Sequence, residues 1–300
     1  MSDAPGRVAW VFPGQGSQRV GMGQELAAAN ADIAAVYEQA DAVLGFALSD
    51  IIFNGPDDAL QQTPVQQPAI LLTSIAYLLA LKTRGLLPDA DYVAGHSLGE
   101  YSALVASGAL SLEDGLQLVR KRGELMQQHG AGAMAAILGM DSASVAAVAS
   151  DAGVDVANYN APDQTTISGT HDAVEKAMTL AKERGAKRAI LLPVSAAFHS
   201  TLMKGAEEGM LPYLMAVPMV PPDVPIVGNV DAAILAETDD VRQELIHQIC
   251  GSVRWVDVVR TLSSEGVTHF IEIGPGKVLA GLLARCAPDA TIETAEKLLT

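Results

Sequence analysis

Gly95-His96-Ser97-Leu98-Gly99 constrains this chain more than any other stretch of it. Glycine two places on either side of a serine is what a nucleophile elbow requires, because the strand-to-helix turn is so sharp that side chains there would strike the strand or the helix. Tyr92-Val93-Ala94 reads as the end of a strand, and the small-residue run from Tyr101 to Leu110 reads as the helix. Such a turn holds the Ser97 Oγ beside a helix N-terminus, where main-chain N–H groups favour developing negative charge. The same residues admit a structural reading. Ser97-Leu98-Gly99-Glu100 also fits a capping box, with serine at the N-cap and glutamate three places on, in which Ser97 has no chemistry to do.

Composition narrows the class. Three hundred residues suffice for one large domain or two unequal ones with a sizeable core. A hydrophobic content of 49% suits a compact, alanine-rich α/β enzyme, and a formal charge of −16 argues against non-specific binding to nucleic acid or to an anionic membrane. Cys250 and Cys286 form no CxxC or metal-ligand pattern and read as buried thiols of a cytosolic protein, so no metal site is expected. The apolar stretch Val8 to Phe12 is too short for a signal-peptide core. Pro68 to Leu81, the most apolar segment, is interrupted by Thr73 and Ser74 and falls short of a bilayer span, so it reads as a buried helix. The expectation is a soluble cytoplasmic protein.

Along the chain, Val8 to Phe12 reads as a strand that runs into the polar, glycine-rich loop Pro13-Gly14-Gln15-Gly16-Ser17-Gln18. In α/β folds, loops at that end of a strand contact ligands. The segment from about 130 to 193 differs in texture. Strand Gly132 to Leu138, helix Ser142 to Ala152, strands Val154 to Asn158 and Thr165 to Ser168, helix His171 to Arg184 and strand Lys187 to Val194 give the order β-α-β-β-α-β of a ferredoxin-like unit. The predicted fold class is therefore α/β, a large domain formed by residues 1–129 and 194–300 and interrupted by a small ferredoxin-like subdomain at 130–193.

A serine nucleophile needs a base. His96 adjoins Ser97 on a sharp turn that should direct its ring elsewhere; His171 and His247 read as surface residues, and His129 and His269 lack a distinctive setting. His199, in Pro193 to Ser200, lies where the two domains meet, and clefts with convergent polar groups favour such junctions. A satisfied structural histidine remains the alternative. For an oxyanion, the N–H of Leu98 is the usual first donor; the HGGG loop of lipases is absent, and Gln15 on the first loop could supply the second, unless that loop is an ordinary strand-to-helix turn. Arg120, Lys121 and Arg122 form a basic triplet on the helix read over Leu112 to Gln128. Such residues are usually solvated, but one arginine turned inward near Ser97 would be a fork for a substrate carboxylate.

Taken together, these stretches resemble the malonyl-CoA:acyl carrier protein transacylase family. The resemblance is carried by Val11 to Gln18, Gln67-Pro68-Ala69, Gly95 to Tyr101, Arg122-Gly123, Asn160-Ala161-Pro162, Phe198-His199-Ser200, Val253-Arg254-Trp255 and Glu272 to Gly276, which occur in family order over nearly the whole chain. It implies an α/β-hydrolase-like core with a ferredoxin-like insert. It further implies Ser97 as nucleophile, His199 as general base and acid, Gln15 and Leu98 at the oxyanion hole, and Arg122 pairing with the malonyl carboxylate. Gln67, Phe198 and Asn160 would border the substrate, and the main-chain carbonyl of Arg254 would orient the histidine in place of a triad aspartate. Leu98 and Phe198 go with malonyl rather than methylmalonyl selection in related polyketide acyltransferases. The implied reaction is ping-pong transfer of malonyl from coenzyme A to the phosphopantetheine thiol of acyl carrier protein, supplying fatty acid or polyketide synthesis. It would use no cofactor and run on a monomer.

Two rivals remain at this level. A serine esterase or thioesterase would use the same elbow but release free malonate, and a catalytically idle carrier-docking subunit would need none of Ser97, His199, Gln15 and Arg122. Carrier proteins are usually acidic, as this chain is, so docking would need a local basic patch, for which Lys187, Arg188, Lys277 and Arg285 are candidates.

Overall fold

The structure, a computed structural model, describes residues 6–194 and 196–300. Residues 1–5, at the start of the expected large domain, and Ser195, in the stretch read as the domain junction, lie outside the described residues.

Among the described residues, ten strands form two sheets. In chain order they are β1 (Arg7–Phe12), β2 (Tyr92–Gly95), β3 (Ala133–Leu138), β4 (Asp155–Ala161), β5 (Gln164–Gly169), β6 (Arg188–Leu191), β7 (Ile226–Val227), β8 (Ile234–Leu235), β9 (Val267–Glu272) and β10 (Thr291–Thr294). The larger sheet has the order β10-β9-β1-β2-β7-β8 and is parallel except at β7/β8. Its central strand β1 is buried on both faces, with Ala9 and Val11 in one apolar cluster and Trp10 and Phe12 in the other. That two-sided burial explains why β1 reads as a continuous apolar run and not as an alternating one. The chain leaves β1 for β2 on one side and returns to β9 on the other, and crevices at the carboxyl ends of strands form where the order reverses in this way.

The smaller sheet, β4-β5-β3-β6, is antiparallel throughout and built from consecutive elements between 133 and 191, with helices Ser142–Ala152 and His171–Glu183 between its strands. The helix starts are legible in sequence: Asp141 accepts from the Ser144 N–H and Thr170 from the Ala173 N–H, each satisfying a first-turn donor. Strands β4 and β5 run longer than the sequence suggests, and β3 and β6 run shorter. Asn160 and Ala161 belong to β4, leaving Pro162-Asp163 as the turn. The segments leading into and out of this unit pair with one another, through an antiparallel bridge between Ala131 and Ala196 and a hydrogen bond from the Ala197 N–H to the Gly130 carbonyl.

The apolar stretch at Pro68 to Leu81 belongs to a 21-residue helix, Thr63–Thr83. It is longer than expected because the polar first turn is helical too, with Pro64 at its start, where a missing N–H costs nothing. By length and composition it could cross a membrane, yet 89% of its most apolar window is buried inside the protein, and it is the central helix of the large core.

Candidate active site

The elbow is built by close backbone approach. A Cβ on Gly95 would lie 1.9 Å from the carbonyl carbon of Gly99, and one on Gly99 would lie 2.1 Å from the Phe12 oxygen. Both glycines are therefore obligatory, and the second seats the elbow helix (Gly99–Ala106) against the end of β1. Ser97 itself has φ 52°, a left-handed conformation that costs a non-glycine residue roughly 1–2 kcal/mol. Asn229 holds it there: its Oδ1 accepts from the Ser97 N–H at 2.7 Å, and its Nδ2 donates to the Gly95 carbonyl at 2.7 Å. The capping-box reading does not survive. The N-cap position is Leu98, no side chain caps the helix, and Glu100 is buried with its Oε2 accepting from Gln248 Nε2.

His199 meets Ser97 as the sequence suggests. Its Nε2 lies 2.7 Å from the Ser97 Oγ, and its Nδ1 lies 2.9 Å from the Gln248 carbonyl and 3.0 Å from that of Gly251. Carbonyl oxygens only accept, so Nδ1 carries the proton and Nε2 presents its lone pair to the serine hydroxyl. His199 also has a left-handed backbone, φ 54°. Strained conformations of this kind persist where surrounding structure over-determines them, and they cluster at functional sites. Burial, reinforced by the nearby Arg122 guanidinium, lowers the His199 pKa to about 3, which leaves it neutral and able to accept a proton at any working pH.

The histidine's carbonyl partner corrects the sequence reading. Arg254 does not orient His199; the carbonyls of Gln248 and Gly251 do. Arg254 starts the helix Trp255–Ser264, its N–H donates to the Asn229 carbonyl, and its side chain pairs with Asp257 at the surface. The Val253-Arg254-Trp255 motif lies a few residues past the working carbonyls, because the chain turns at Gly251 before it reaches the helix.

Arg122 is the one member of its basic triplet that turns inward. Arg120 and Lys121 pair with Glu124 at the surface, whereas Arg122 is fully buried. Its Nη1 donates to Gln67 Oε1 at 3.0 Å, and its Nη2 donates to Gln248 Oε1 at 2.8 Å and to the Ser97 Oγ at 3.1 Å. Every one of these acceptors is neutral, and the buried Nε has no partner among the described residues. Burial accordingly lowers the arginine's pKa, with Tyr101 and Glu100 opposing.

The remaining predicted residues divide. Gln67 belongs to the site through Arg122. Leu98 and Phe198 are buried beside the nucleophile and the base in sequence, both in the large core cluster. The Gln15 side chain turns away to donate to Gln66, so any donor it offers an oxyanion is its main-chain N–H. Neither that N–H nor the N–H of Leu98 has an acceptor among the described residues, and the loop lies against the elbow: a Cβ on Gly14 would sit 2.4 Å from the His96 carbonyl. Asn160 stands one residue removed, its Oδ1 2.8 Å from His96 Nε2, with no bond to Ser97, His199 or Arg122. In the suggested basic patch, Arg285 is taken up by Asp163 and Gln164, while Lys187, Arg188 and Lys277 are exposed. No group of three or more His, Cys, Asp or Glu side chains among the described residues could hold a metal ion.

Sequence reasoning missed Asn229, Gln248 and the buried Glu100, whose carboxyl is pushed well toward its neutral form by burial and by Glu244. No local pattern marks the first two, because each works through contacts more than a hundred residues away.

Known proteins resemble this chain closely in sequence and fold. The acyl transferase domain family matches residues 9–296. A malonyl CoA-acyl carrier protein transacylase of Bacillus subtilis is 49% identical over 287 residues, covering 93% of this chain and 90% of that protein. The crystal structure of an acyl-carrier-protein-S-malonyltransferase from Bartonella henselae superposes with a TM-score of 0.94 at 40% identity, covering 98% of this chain and 97% of that one. A malonyl-transacylase solved in complex with its type II polyketide acyl carrier protein gives 0.92 at 37% identity, covering 96% and 94%.

Proposed function

The chain belongs to the malonyl-CoA:acyl carrier protein transacylase family, and from that membership we propose how its own residues carry malonyl from coenzyme A to the phosphopantetheine thiol of acyl carrier protein. His199 Nε2 takes the proton as the Ser97 Oγ attacks the malonyl thioester. The tetrahedral oxyanion is received by the Leu98 and Gln15 main-chain N–H groups, and coenzyme A leaves as its sulfur regains the proton from the imidazolium. The Gln248 and Gly251 carbonyls, which Nδ1 meets where a triad carboxylate would stand, stabilise that imidazolium. The carrier thiol then attacks the malonyl-serine ester, and the same imidazole relays its proton. One thioester is exchanged for another, so the overall step is close to neutral in free energy.

The observation that carries this reading is Arg122, a fully buried guanidinium that reaches the nucleophile's oxygen and holds only neutral acceptors. A malonyl carboxylate supplies its missing counter-charge, and an acetyl group leaves it without one. Breaking a buried pair costs about 3–5 kcal/mol, roughly a hundredfold or more in preference. The buried Leu98 and Phe198 support exclusion of a methyl branch.

The same reading extends to the architecture and setting: an α/β-hydrolase-like core with a ferredoxin-like insert at 130–193, a cytoplasmic monomer, and docking of the acidic carrier at Lys187, Arg188 and Lys277. The order of elements and the pairing of Ala131 with Ala196 support the insert boundaries.

The test is an acyl-transfer assay with malonyl-, methylmalonyl- and acetyl-CoA against purified holo carrier protein, with intact-protein mass spectrometry alongside. Malonyl transfer should dominate, and a malonyl adduct should form on the protein and vanish in Ser97→Ala. Release of free malonate as fast as carrier acylation would make the protein a hydrolase.

A further inference from the structure

We propose that the Gln248 side chain is the positioning residue of the acyl pocket, fixing the Arg122 guanidinium against the nucleophile while leaving its charge free for the substrate carboxylate. The inference rests on the reading of Arg122 given above and assigns a second residue to the same selectivity.

Gln248 follows the helix Thr238–His247 and is fully buried. It touches all three groups of the site. Its main-chain carbonyl accepts from His199 Nδ1, its side-chain Oε1 accepts from Arg122 Nη2, and its Nε2 donates to the main-chain carbonyl of Ser97 at 2.9 Å and to Glu100 Oε2. Both amide protons are therefore used, and the oxygen is used as well.

Chemistry forces the direction of this amide. A guanidinium only donates and a peptide carbonyl only accepts. A flipped amide would set N–H against N–H at Arg122 and oxygen against oxygen at Ser97. No other orientation satisfies both neighbours, so the guanidinium and the elbow are held in one register. Gln67 grips the other end of the fork but touches neither the elbow nor His199; its second contact is the sulfur of Met126. Besides the direct contact of Arg122 Nη2 with the Ser97 Oγ, positioning relative to the nucleophile runs through Gln248, which ties the guanidinium to the elbow's main chain.

Neutrality of the holding group matters as much as its place. A carboxylate at the same position would grip Arg122 more firmly and would also neutralise it, competing with the substrate's own carboxylate. An amide gives a directed acceptor without a charge, so the guanidinium stays placed and uncompensated until an acyl group brings the anion.

Substitution separates this role from plain structural support, because any residue at 248 keeps the main-chain carbonyl that orients His199. Malonyl-CoA and acetyl-CoA transfer should be measured for Gln248→Glu, Gln248→Met and Arg122→Ala, with thermal unfolding of each. Gln248→Glu is expected to raise the malonyl-CoA KM at least about 30-fold and to lower the malonyl-to-acetyl preference by a similar factor. Gln248→Met is expected to lower that preference about tenfold, with Arg122→Ala setting the floor. Equal losses for the two substrates, or an unchanged preference alongside a narrowed one in Arg122→Ala, would overturn the role of Gln248 alone. An unchanged preference in Arg122→Ala would overturn the pocket reading and this inference with it. Should Gln248→Met fail to fold, the near-isosteric Gln248→Glu decides the question.

Discussion

The two sheets of this molecule bury different chemistry. The antiparallel unit closes over a core made of small and branched apolar side chains, among them Ala135, Ile137, Val145, Val148, Ile167 and Val174. Between 130 and 193 no charged side chain is buried among the described residues. The parallel unit buries Glu100, Arg122, His199, Glu244 and Glu272 together with Gln66, Gln67 and Gln248. Buried polar groups cost stability unless they are paired, and unpaired charges cost more. The large unit carries the charged part of that cost where β1 and β2 end, whereas the small unit buries neutral polar groups, Asn158, Thr165, Thr166 and Ser168. The buried charges are thus confined to one of the two units among the described residues, and glycine, arginine, histidine and surface variants should expose the division in turn.

The largest effect belongs to the elbow. Gly99→Ala places a methyl group inside contact distance of the Phe12 carbonyl, which is main chain and cannot step aside. Loss of about 4 kcal/mol or more, or no folded protein, is expected. Gly153 in the small unit has a positive φ, 77°, which Gly99 lacks, and open space around it. Gly153→Ala should cost only about 1 kcal/mol, the price of a left-handed backbone. Denaturant unfolding of the two variants compares them directly, and similar losses would erase the distinction between the elbow and an ordinary helix terminus.

Next comes a crossed pair. Ile167→Ala empties part of the small core and should lower stability by about 2–5 kcal/mol while folded enzyme keeps its turnover. Arg122→Met should do the reverse. It removes a buried charge without a counter-ion, which offsets the acceptors left open on Gln67 and Gln248, so stability should fall by no more than about 1 kcal/mol. Malonyl transfer should nevertheless drop about a hundredfold or more. An Arg122→Met variant as unstable as Ile167→Ala would show that the arginine serves the fold.

How far the sequence reveals this division depends on the distance over which each feature is encoded. Gly95, Ser97 and Gly99 lie within five residues, so local sterics expose the elbow. The helix caps at Asp141 and Thr170 and the short turns of the small unit are equally local, and its order of elements is readable for that reason. Arg122 is only half legible: helical spacing places it beside Arg120 and Lys121, but which of the three turns inward depends on Gln67, on another helix. Asn229 and Gln248 are not legible at all, since their value lies in bonds to Gly95, Ser97 and Arg122 across the fold. The misplacement of the histidine's partner at Arg254 has the same origin, a conspicuous motif standing just beyond two unremarkable carbonyls.

A smaller effect concerns pH. With its pKa lowered to about 3, His199 stays neutral in the folded protein well below the ordinary histidine value. An imidazole of ordinary pKa, about 6.5, would be about 97% protonated at pH 5 and acylation would slow about 30-fold. Malonyl-enzyme formation should instead lose less than about twofold through this group between pH 7 and 5. Folding pays for it with the opposite sign: the unfolded chain takes up the proton below about 6.5 and the folded chain does not, so His199 withdraws about 2 kcal/mol of stability by pH 5. His199→Gln should lack that slope. A kinetic limb near 6.5 would place the imidazole in contact with solvent.

The smallest effect is predicted at Arg254, and it sharpens the contrast by showing what the large unit does not use. Its side chain forms an exposed pair with Asp257, which Arg260 also contacts. Surface pairs of this kind contribute about 0–1 kcal/mol. What the site takes from residue 254 is its main-chain N–H, which donates to the carbonyl of Asn229, the residue that holds the elbow, and any side chain preserves it. Arg254→Ala should therefore leave the unfolding midpoint within a degree or two and malonyl transfer within about twofold, since an isolated surface substitution rarely exceeds about 0.5 kcal/mol. A selective rise in the KM for coenzyme A thioester or for carrier protein, with kcat unchanged, would instead give this guanidinium a phosphate to bind at the mouth of the site.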